Sequence, residues 1–538
     1  MLQLIEDTMD SASVTAACPE PADGESPVLY AQRLGEWFAA HRSREHKKQY
    51  GQFFTPAEIA WFMAKLTTPA GSEIRILDPG AGCGILSCAV CEHIAQAAKK
   101  VRCIDLDVYE TDVALAALLE KSLLHLSKTI ERQSVTLTYH IYTNDFILEL
   151  SDSLCSNSLL FENTTPVYDL CISNPPYFKL SKSDRRAVAA LSVIHGQPNI
   201  YALFMAVSAA MLKRGGDFVF ITPRSFASGY YFKRFRDYFF DIVQPDHIHL
   251  FDSRRDGFKK DGVLQEMIIF KGTRKGCSVR ENSAKRPAIK VSVSHCAKDM
   301  SQSQVTAYPT DALLDAQSQM NIFRLPRNRA ESQLVERLSS WPGTFEKYGL
   351  RISTGPVVAF RAYHLLSDHQ PESTAAIPLL WLHHIQAMKV RWPIQGFRKP
   401  QWIEMRDDAE KLYVKNQNLV LVRRFSAKEE ERRLVAAPYL ESCLPASHLG
   451  LENHLNYIYK QHGTLTPEEA AGLALLLNSE SIDTYFRVFN GNTQVGATEI
   501  SLLPLPPLET LIQAGKQALQ AGLDMCDIKA VSEMYFEP

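Results

Sequence analysis

Seven short apolar runs, separated by turn residues and helix-length segments, follow one another over residues 74–270. They span residues 74–77, 101–109, 135–142, 168–173, 217–222, 248–251 and 263–270. Helical patterns occupy residues 85–98, 113–126 and 201–212. Strands separated by helices must cross over to pair in parallel, so the chain is committed to an α/β fold with a doubly wound sheet covered on both faces. The last two runs have no clear helix between them, and antiparallel pairing is expected there.

The flanking regions read differently. Residues 1–45 form an acidic tail and then a helix over 28–40. A basic run over 41–48 leads into Tyr50-Gly51-Gln52-Phe53-Phe54-Thr55-Pro56, where Thr55 is placed to cap a helix with Glu58 in its first turn. Beyond Lys275 the alternation stops; residues 276–310 are polar with one strand pattern at 289–293. The expected organisation is a tail and helix (1–45), a catalytic domain (46–275), a linker region (276–335) and a mixed α+β domain (336–538). In the last, residues 466–489 and 508–521 look helical, and aromatic and basic residues interleave over 380–425.

Two motifs carry chemistry. Asp78-Pro79-Gly80-Ala81-Gly82-Cys83-Gly84 follows the first strand and opens a helix. Glycines there let the backbone turn tightly and approach a ligand, and the helix N-terminus offers free N–H groups. No Gly-Lys-Ser/Thr follows, so this is not a phosphate-gripping Walker loop. Glu110, at the end of the second strand, is placed to accept from ribose hydroxyls; Asp105 and Asp107 are weaker candidates. Asp145-Phe146, after the third strand, pairs an acceptor for an adenine amine with a ring to stack on it, although Asp145 could equally be a helix cap.

The fourth strand stops at Asn174-Pro175-Pro176-Tyr177. By average residue usage this tetrapeptide arises by chance in roughly one such chain in several hundred, so its position at a strand end weighs against coincidence. A conjugated exocyclic amine is a poor nucleophile because its lone pair is delocalised. Two fixed acceptors near its hydrogens, the Asn174 side-chain oxygen and the Pro175 carbonyl, would help it pyramidalise. Tyr177 offers a flat face to a base rotated out of a duplex. Such catalysis works by positioning, and no strong base is needed, because the amine becomes acidic once alkylated.

With these residues in this order, the chain resembles the gamma-class DNA adenine-N6 methyltransferases of type II restriction-modification systems. The resemblance implies a Rossmann-like methyltransferase sheet, S-adenosylmethionine as cofactor, and a C-terminal target-recognition domain. Thr55 and its neighbours, Asp78, Gly80, Gly82, Glu110, Asp145, Phe146 and Asn174 correspond to cofactor-binding positions. Asn174, Pro175 and Tyr177 correspond to the catalytic motif, and Phe258 to an aromatic packing on the flipped base. Residues 221–232, and Asn490-Gly491-Asn492-Thr493-Gln494-Val495 with 503–506, add to the likeness. The resemblance further implies double-stranded DNA as partner, a cognate restriction endonuclease as functional partner, and a monomer.

Composition adds limits. Net charge is −2, but residues 224–275 carry eleven Lys and Arg against seven acids, and residues 380–434 twelve against seven. Local excess is what phosphate binding needs. Arg224, Arg391, Arg398 and Lys399 are the DNA-contact candidates, the last three beside Trp381, Trp392 and Trp402. Eleven scattered cysteines suggest reduced thiols and a cytoplasmic protein. Cys83, Cys88, Cys91 and His93 fall on or beside one helix and are read as packing, not metal ligands. Competing acceptors are cytosine N4, RNA and a protein glutamine; a non-catalytic DNA-specificity protein is the alternative from another class.

Overall fold

The computed structural model describes residues 17–42, 54–155, 166–252, 266–276, 287–315, 320–370, 376–426, 430–491, 494–523 and 527–537. The chain divides into two compact units at Arg327/Asn328.

The first unit is built on a nine-stranded sheet, β1 (Glu73–Pro79), β2 (Cys103–Tyr109), β3 (Thr136–Tyr142), β4 (Tyr168–Ser173), β5 (Leu212–Pro223), β6 (Val243–Phe251), β7 (Met267–Arg274), β8 (Ile289–Ser294) and β9 (Gln304–Tyr308), in the order 3-2-1-4-5-7-6-8-9. Strands β1 to β5 pair in parallel. β7 is antiparallel to both β5 and β6, as the missing helix between the last two runs led us to expect. Among the described residues its helices include α1 (Pro27–Ala40), α2 (Ala57–Lys65), α3 (Ile85–Ala97), α4 (Val113–Glu131), α5 (Phe146–Leu150), α6 (Arg185–Ala189), α7 (Ile200–Met211) and α8 (Lys233–Ile242).

Alternate strand residues feed two cores. Ile76, Leu106, Ile172 and Ile221 pack with α2, α3 and α4, while Leu77, Cys171, Phe218 and Phe220 pack with α7 and α8. Every residue of α7 is buried, which explains its uninterrupted apolar sequence. Helix starts follow local chemistry: Ser26 caps α1 ahead of Pro27, and Asp112 caps α4 through Ala114 and Leu115 N–H.

Three expectations need correction. The helical pattern over 201–212 stops at Met211, because Leu212 already pairs with Tyr168 in β5; Gly215-Gly216 lie inside that strand, and its register shifts before Leu170. A Cβ on Gly216 would sit 3.1 Å from the Asp169 carbonyl, so the glycine marks a close strand approach. Helix α8 was not anticipated, although Phe235 and Phe239 are spaced to share one buried face. The region 276–335 is not simply a linker: β8 and β9 extend the sheet, and described residues up to Arg327 belong to the first unit. β9 is an edge strand with mostly exposed side chains, so its sequence lacks an apolar run.

The second unit holds a four-stranded antiparallel sheet (Leu350–Thr354, Leu455–Lys460, Leu419–Arg423, Ala436–Tyr439) and a five-stranded sheet of shorter strands. Helices Pro467–Leu477, Glu480–Phe489, Leu508–Ala521 and Ile528–Phe536 follow. The expected single helix over 466–489 is two, because Asn478 and Ser479 break it and Ser479 caps the second. Among the described residues no helix is long and apolar enough to cross a membrane.

Candidate active site

The sheet order reverses at β1 and β4, with β2 and β3 to one side and β5 to the other. Loops leaving two such neighbours diverge to opposite faces and open a crevice at the strand ends. Both motifs stand there. The glycine loop leaves β1 and Asn174 leaves β4, and Ser173 Oγ joins them by donating to the Pro79 carbonyl at 2.7 Å. Gly80 (φ +77°) and Gly82 (φ +59°) have backbone conformations that side chains rarely adopt. Gly80 and Ala81 N–H groups bind the Tyr109 carbonyl at 2.8 and 3.0 Å, which folds the loop back over β2.

The crevice is a cavity of about 430 Å³ lined by Thr55, Gly80, Gly82, Glu110, Asp145, Phe146 and Asn174, all anticipated from sequence. Glu110 is buried, its two oxygens accepting from Gly82 N–H (3.1 Å) and Asp112 N–H (2.9 Å). A carboxylate offers about four acceptor positions, so capacity for a ligand hydroxyl remains. Burial pushes its carboxyl up to about 7. Asp145 Oδ1 caps α5 through Ile147 and Leu148 N–H, and Oδ2 lies 3.7 Å from Arg186 Nη1. It is therefore a helix cap that also faces the cavity. Phe146 is buried against Tyr109 and Phe204, ring centroids 5.2 and 5.1 Å apart.

Asn174 is held at both ends of its carboxamide. Nδ2 donates to Thr55 Oγ1 at 2.9 Å, and Oδ1 accepts from the Tyr177 hydroxyl. That hydroxyl also lies 2.9 Å from the Ile221 carbonyl, and burial pushes its pKa up. Pro175 and Tyr177 are not among the walls of this cavity. Asp78 is likewise outside the lining: it is fully buried under the loop, accepts from Ser87 Oγ at 2.6 Å, and keeps one oxygen without a hydrogen-bond partner. Burial pushes Asp78 up to about 7. Asp107 is turned away into a cluster with Tyr168, Arg75 and Asp105.

Several lining residues were missed. α1 contributes Ala31, Gln32 and Gly35, and the segment after Asn174 contributes Phe178 and Arg186. Gln32 Oε1 accepts from Ala57 N–H at 2.8 Å, capping α2 from another helix. Gly35 leaves room for Phe54, whose ring would be 2.9 Å from a Cβ there. Only the glycine inside an otherwise helical run hinted at this contact.

Among the proposed DNA contacts, Arg224 is a correction. It is 7% exposed and paired with Glu266 at 3.1 Å, and it donates to the Leu325 carbonyl, so it serves the interior of the first unit. Arg391, Arg398 and Lys399 are exposed, with Lys399 Nζ 4.6 Å above the Trp381 ring. Phe258 lies outside the described residues. Cys88 and Cys91 are buried on α3, where burial raises both thiol pKa values.

A buried acid beside a glycine loop, a second acid with an aromatic, and a polar edge at Asn174 fit an elongated ligand with ribose hydroxyls, a heteroaromatic ring and a reactive end, in a cavity of ordinary ligand size. Residues 96–258 match the family model described as Eco57I restriction-modification methylase. The chain is 33% identical to the type II methyltransferase M.PstI of Providencia stuartii, covering 88% of this chain and 90% of that protein. It is 32% identical to the type II methyltransferase M.BsuBI of Bacillus subtilis, covering 88% and 91%. The solved DrdV–DNA complex matches with a TM-score of 0.48 at 13% identity, covering 92% of this chain and 59% of that one. The chain belongs to the type II DNA methyltransferases of restriction-modification systems, with S-adenosylmethionine as methyl donor.

Proposed function

We propose that the chain methylates the N6 amine of adenine within a short double-stranded sequence, the target base having rotated out of the duplex. The observation that carries this reading is the Asn174 carboxamide, fixed by Thr55 and Tyr177 at the edge of the cofactor cavity. When bound, S-adenosylmethionine supplies an electrophilic methyl group on sulfur. Glu110 accepts from the ribose hydroxyls, Asp145 from the cofactor's adenine amine, and Phe146 packs on that ring. Thr55 and the glycine loop hold the methionine end, and Asp78 supports the loop from beneath.

Asn174 Oδ1 and the Pro175 carbonyl accept from the target amine as it pyramidalises. Because Tyr177 already donates to Oδ1, that oxygen is aimed before substrate arrives. Tyr177 thus acts both as an orienting donor and as a ring beside the base. Exposed Arg391, Arg398 and Lys399 contact DNA from the C-terminal unit, which is the target-recognition domain. The biological role is protection of host DNA from a cognate endonuclease, by a monomer modifying one strand at a time.

Replacing Asn174 by Ala removes one of two acceptors made for the transition state. We expect kcat to fall by about 10²-fold or more, while affinity for S-adenosylhomocysteine, read by calorimetry, changes only a few-fold. Turnover near the parent rate would remove Asn174 from the chemistry.

A further inference from the structure

The second unit displays an aromatic turn that neither the sequence motifs nor the proposed contacts account for. Phe360 and Tyr363 are 78% and 76% exposed, the most exposed large apolar side chains among the described residues. Two such rings, three residues apart on one turn, mark a candidate contact surface.

The turn is firmly built. Gly355 N–H binds the Leu455 carbonyl at 2.8 Å, and Val357 exchanges bonds with Leu451 and Asn453 at 3.0 and 2.9 Å. Arg361 and Ala362 N–H groups both return to the Val358 carbonyl. Gly355 has no room for a Cβ, which would lie 2.5 Å or less from the Leu451 and Glu452 carbonyls. Val357, Ala362 and Leu365 are buried in a small core with Ile377, Leu379, Trp381 and Ile403. The inward residues therefore fix the backbone, and Phe360, Arg361, Tyr363 and His364 project from it. Side chains on such a rigid base lose little further backbone freedom when they bind.

The charge pattern selects the partner. From Gly355 to Ser367 the sequence contains no carboxylate, while Arg361 and His364 stand between and beside the two rings. The Arg361 guanidinium lies 5.4 Å from the centre of the Phe360 ring. Lys399 covers Trp381, a member of the same small core. Projecting rings with Arg361 between them, on a segment without carboxylates, fit a polyanion bearing flat apolar surfaces.

We propose that residues 358–365 form a DNA-contacting turn, in which Phe360 and Tyr363 make apolar contacts with bases or base steps and Arg361 a charged contact. The proposal rests on the membership in DNA methyltransferases and on the reading of the second unit as the recognition domain. It adds a recognition element to that domain.

The test uses the full chain and a fluorescent duplex carrying the site that the enzyme methylates in cells, with a scrambled duplex beside it. Phe360→Ala and Tyr363→Ala should each weaken anisotropy-detected binding by about tenfold or more. Phe360→Trp, which keeps an aromatic face, should stay within a few-fold of the parent. Arg361→Gln should reduce the salt slope of binding by about one phosphate contact. Melting temperature and S-adenosylhomocysteine affinity should be unchanged, since these side chains face solvent. Loss on the methylated site alone would assign base contacts, and loss on both duplexes would assign contacts that do not depend on sequence; either supports the turn. Affinities within twofold of the parent for both alanine variants would overturn it, as would a parent protein that binds no duplex. Identifying the methylated base in the same samples keeps the questions apart: N4-methylcytosine would defeat the adenine reading, while the comparison of variants would still decide the turn.

Discussion

Glu110 ties three features together: it fastens the glycine loop, it lines the cavity, and its pKa lies near neutrality. Burial raises the carboxyl from 4.5 to about 7. A raised acid stabilises the folded chain fully below its unfolded value, and that contribution is lost as pH rises through about 7. Ligand binding runs the other way, because hydroxyl donors need the carboxylate form. Affinity for S-adenosylhomocysteine should therefore weaken about tenfold between pH 8 and pH 6, and Glu110→Gln should flatten that slope. A slope unchanged in the variant would assign the titration to another group, of which Asp78, also near 7, is the first candidate. At this scale the sequence was informative wherever chemistry demands a residue type at a strand end, as for Glu110, Asp145 and Asn174. It was silent on Gln32, Arg186 and Phe204, which reach the cavity only through tertiary packing. Arg224 shows the reverse error: a cation in a basic stretch was read as a phosphate contact, whereas Glu266, forty-two residues away in sequence, neutralises it inside the fold.

Elements are constrained most where backbones touch. In the second unit, Gly472 of helix Pro467–Leu477 faces Gly515 of helix Leu508–Ala521, and a Cβ on Gly515 would stand 1.9 Å from the Glu468 carbonyl. No side-chain adjustment relieves a clash with backbone. Gly515→Ala should cost about 1–3 kcal/mol, seen as a melting temperature lowered by several degrees, while cofactor binding by the first unit is retained. A neutral Gly515→Ala would mean that the helices do not approach so closely. Strands with two buried faces were legible because their apolar runs are continuous, as in β1, β4 and β5. Edge strand β9 and helix α8 were not. β9 buries little, and the charged residues of α8 (Lys233, Arg234, Arg236, Asp237, Asp241) conceal the spacing of its phenylalanines. Arg236 is itself buried, bonded to the Phe226, Gly229 and Met320 carbonyls, which no pattern of charges would reveal.

For the whole molecule, the division at Arg327/Asn328 separates the sheet that carries the cofactor cavity from the unit that carries Arg391, Arg398, Lys399 and the aromatic turn. A fragment ending at Arg327 should bind S-adenosylhomocysteine with near-parent affinity and lose selective DNA binding; selectivity retained by the fragment would move recognition into the first unit. The central claim is adenine-N6 methylation at one short sequence. Its most direct test is modification-sensitive sequencing of DNA from a methylation-free bacterial host expressing the chain. N6-methyladenine at a single recurring sequence is the expected result. Methylation confined to cytosine, or DNA left unmodified by folded, cofactor-binding protein, would contradict it.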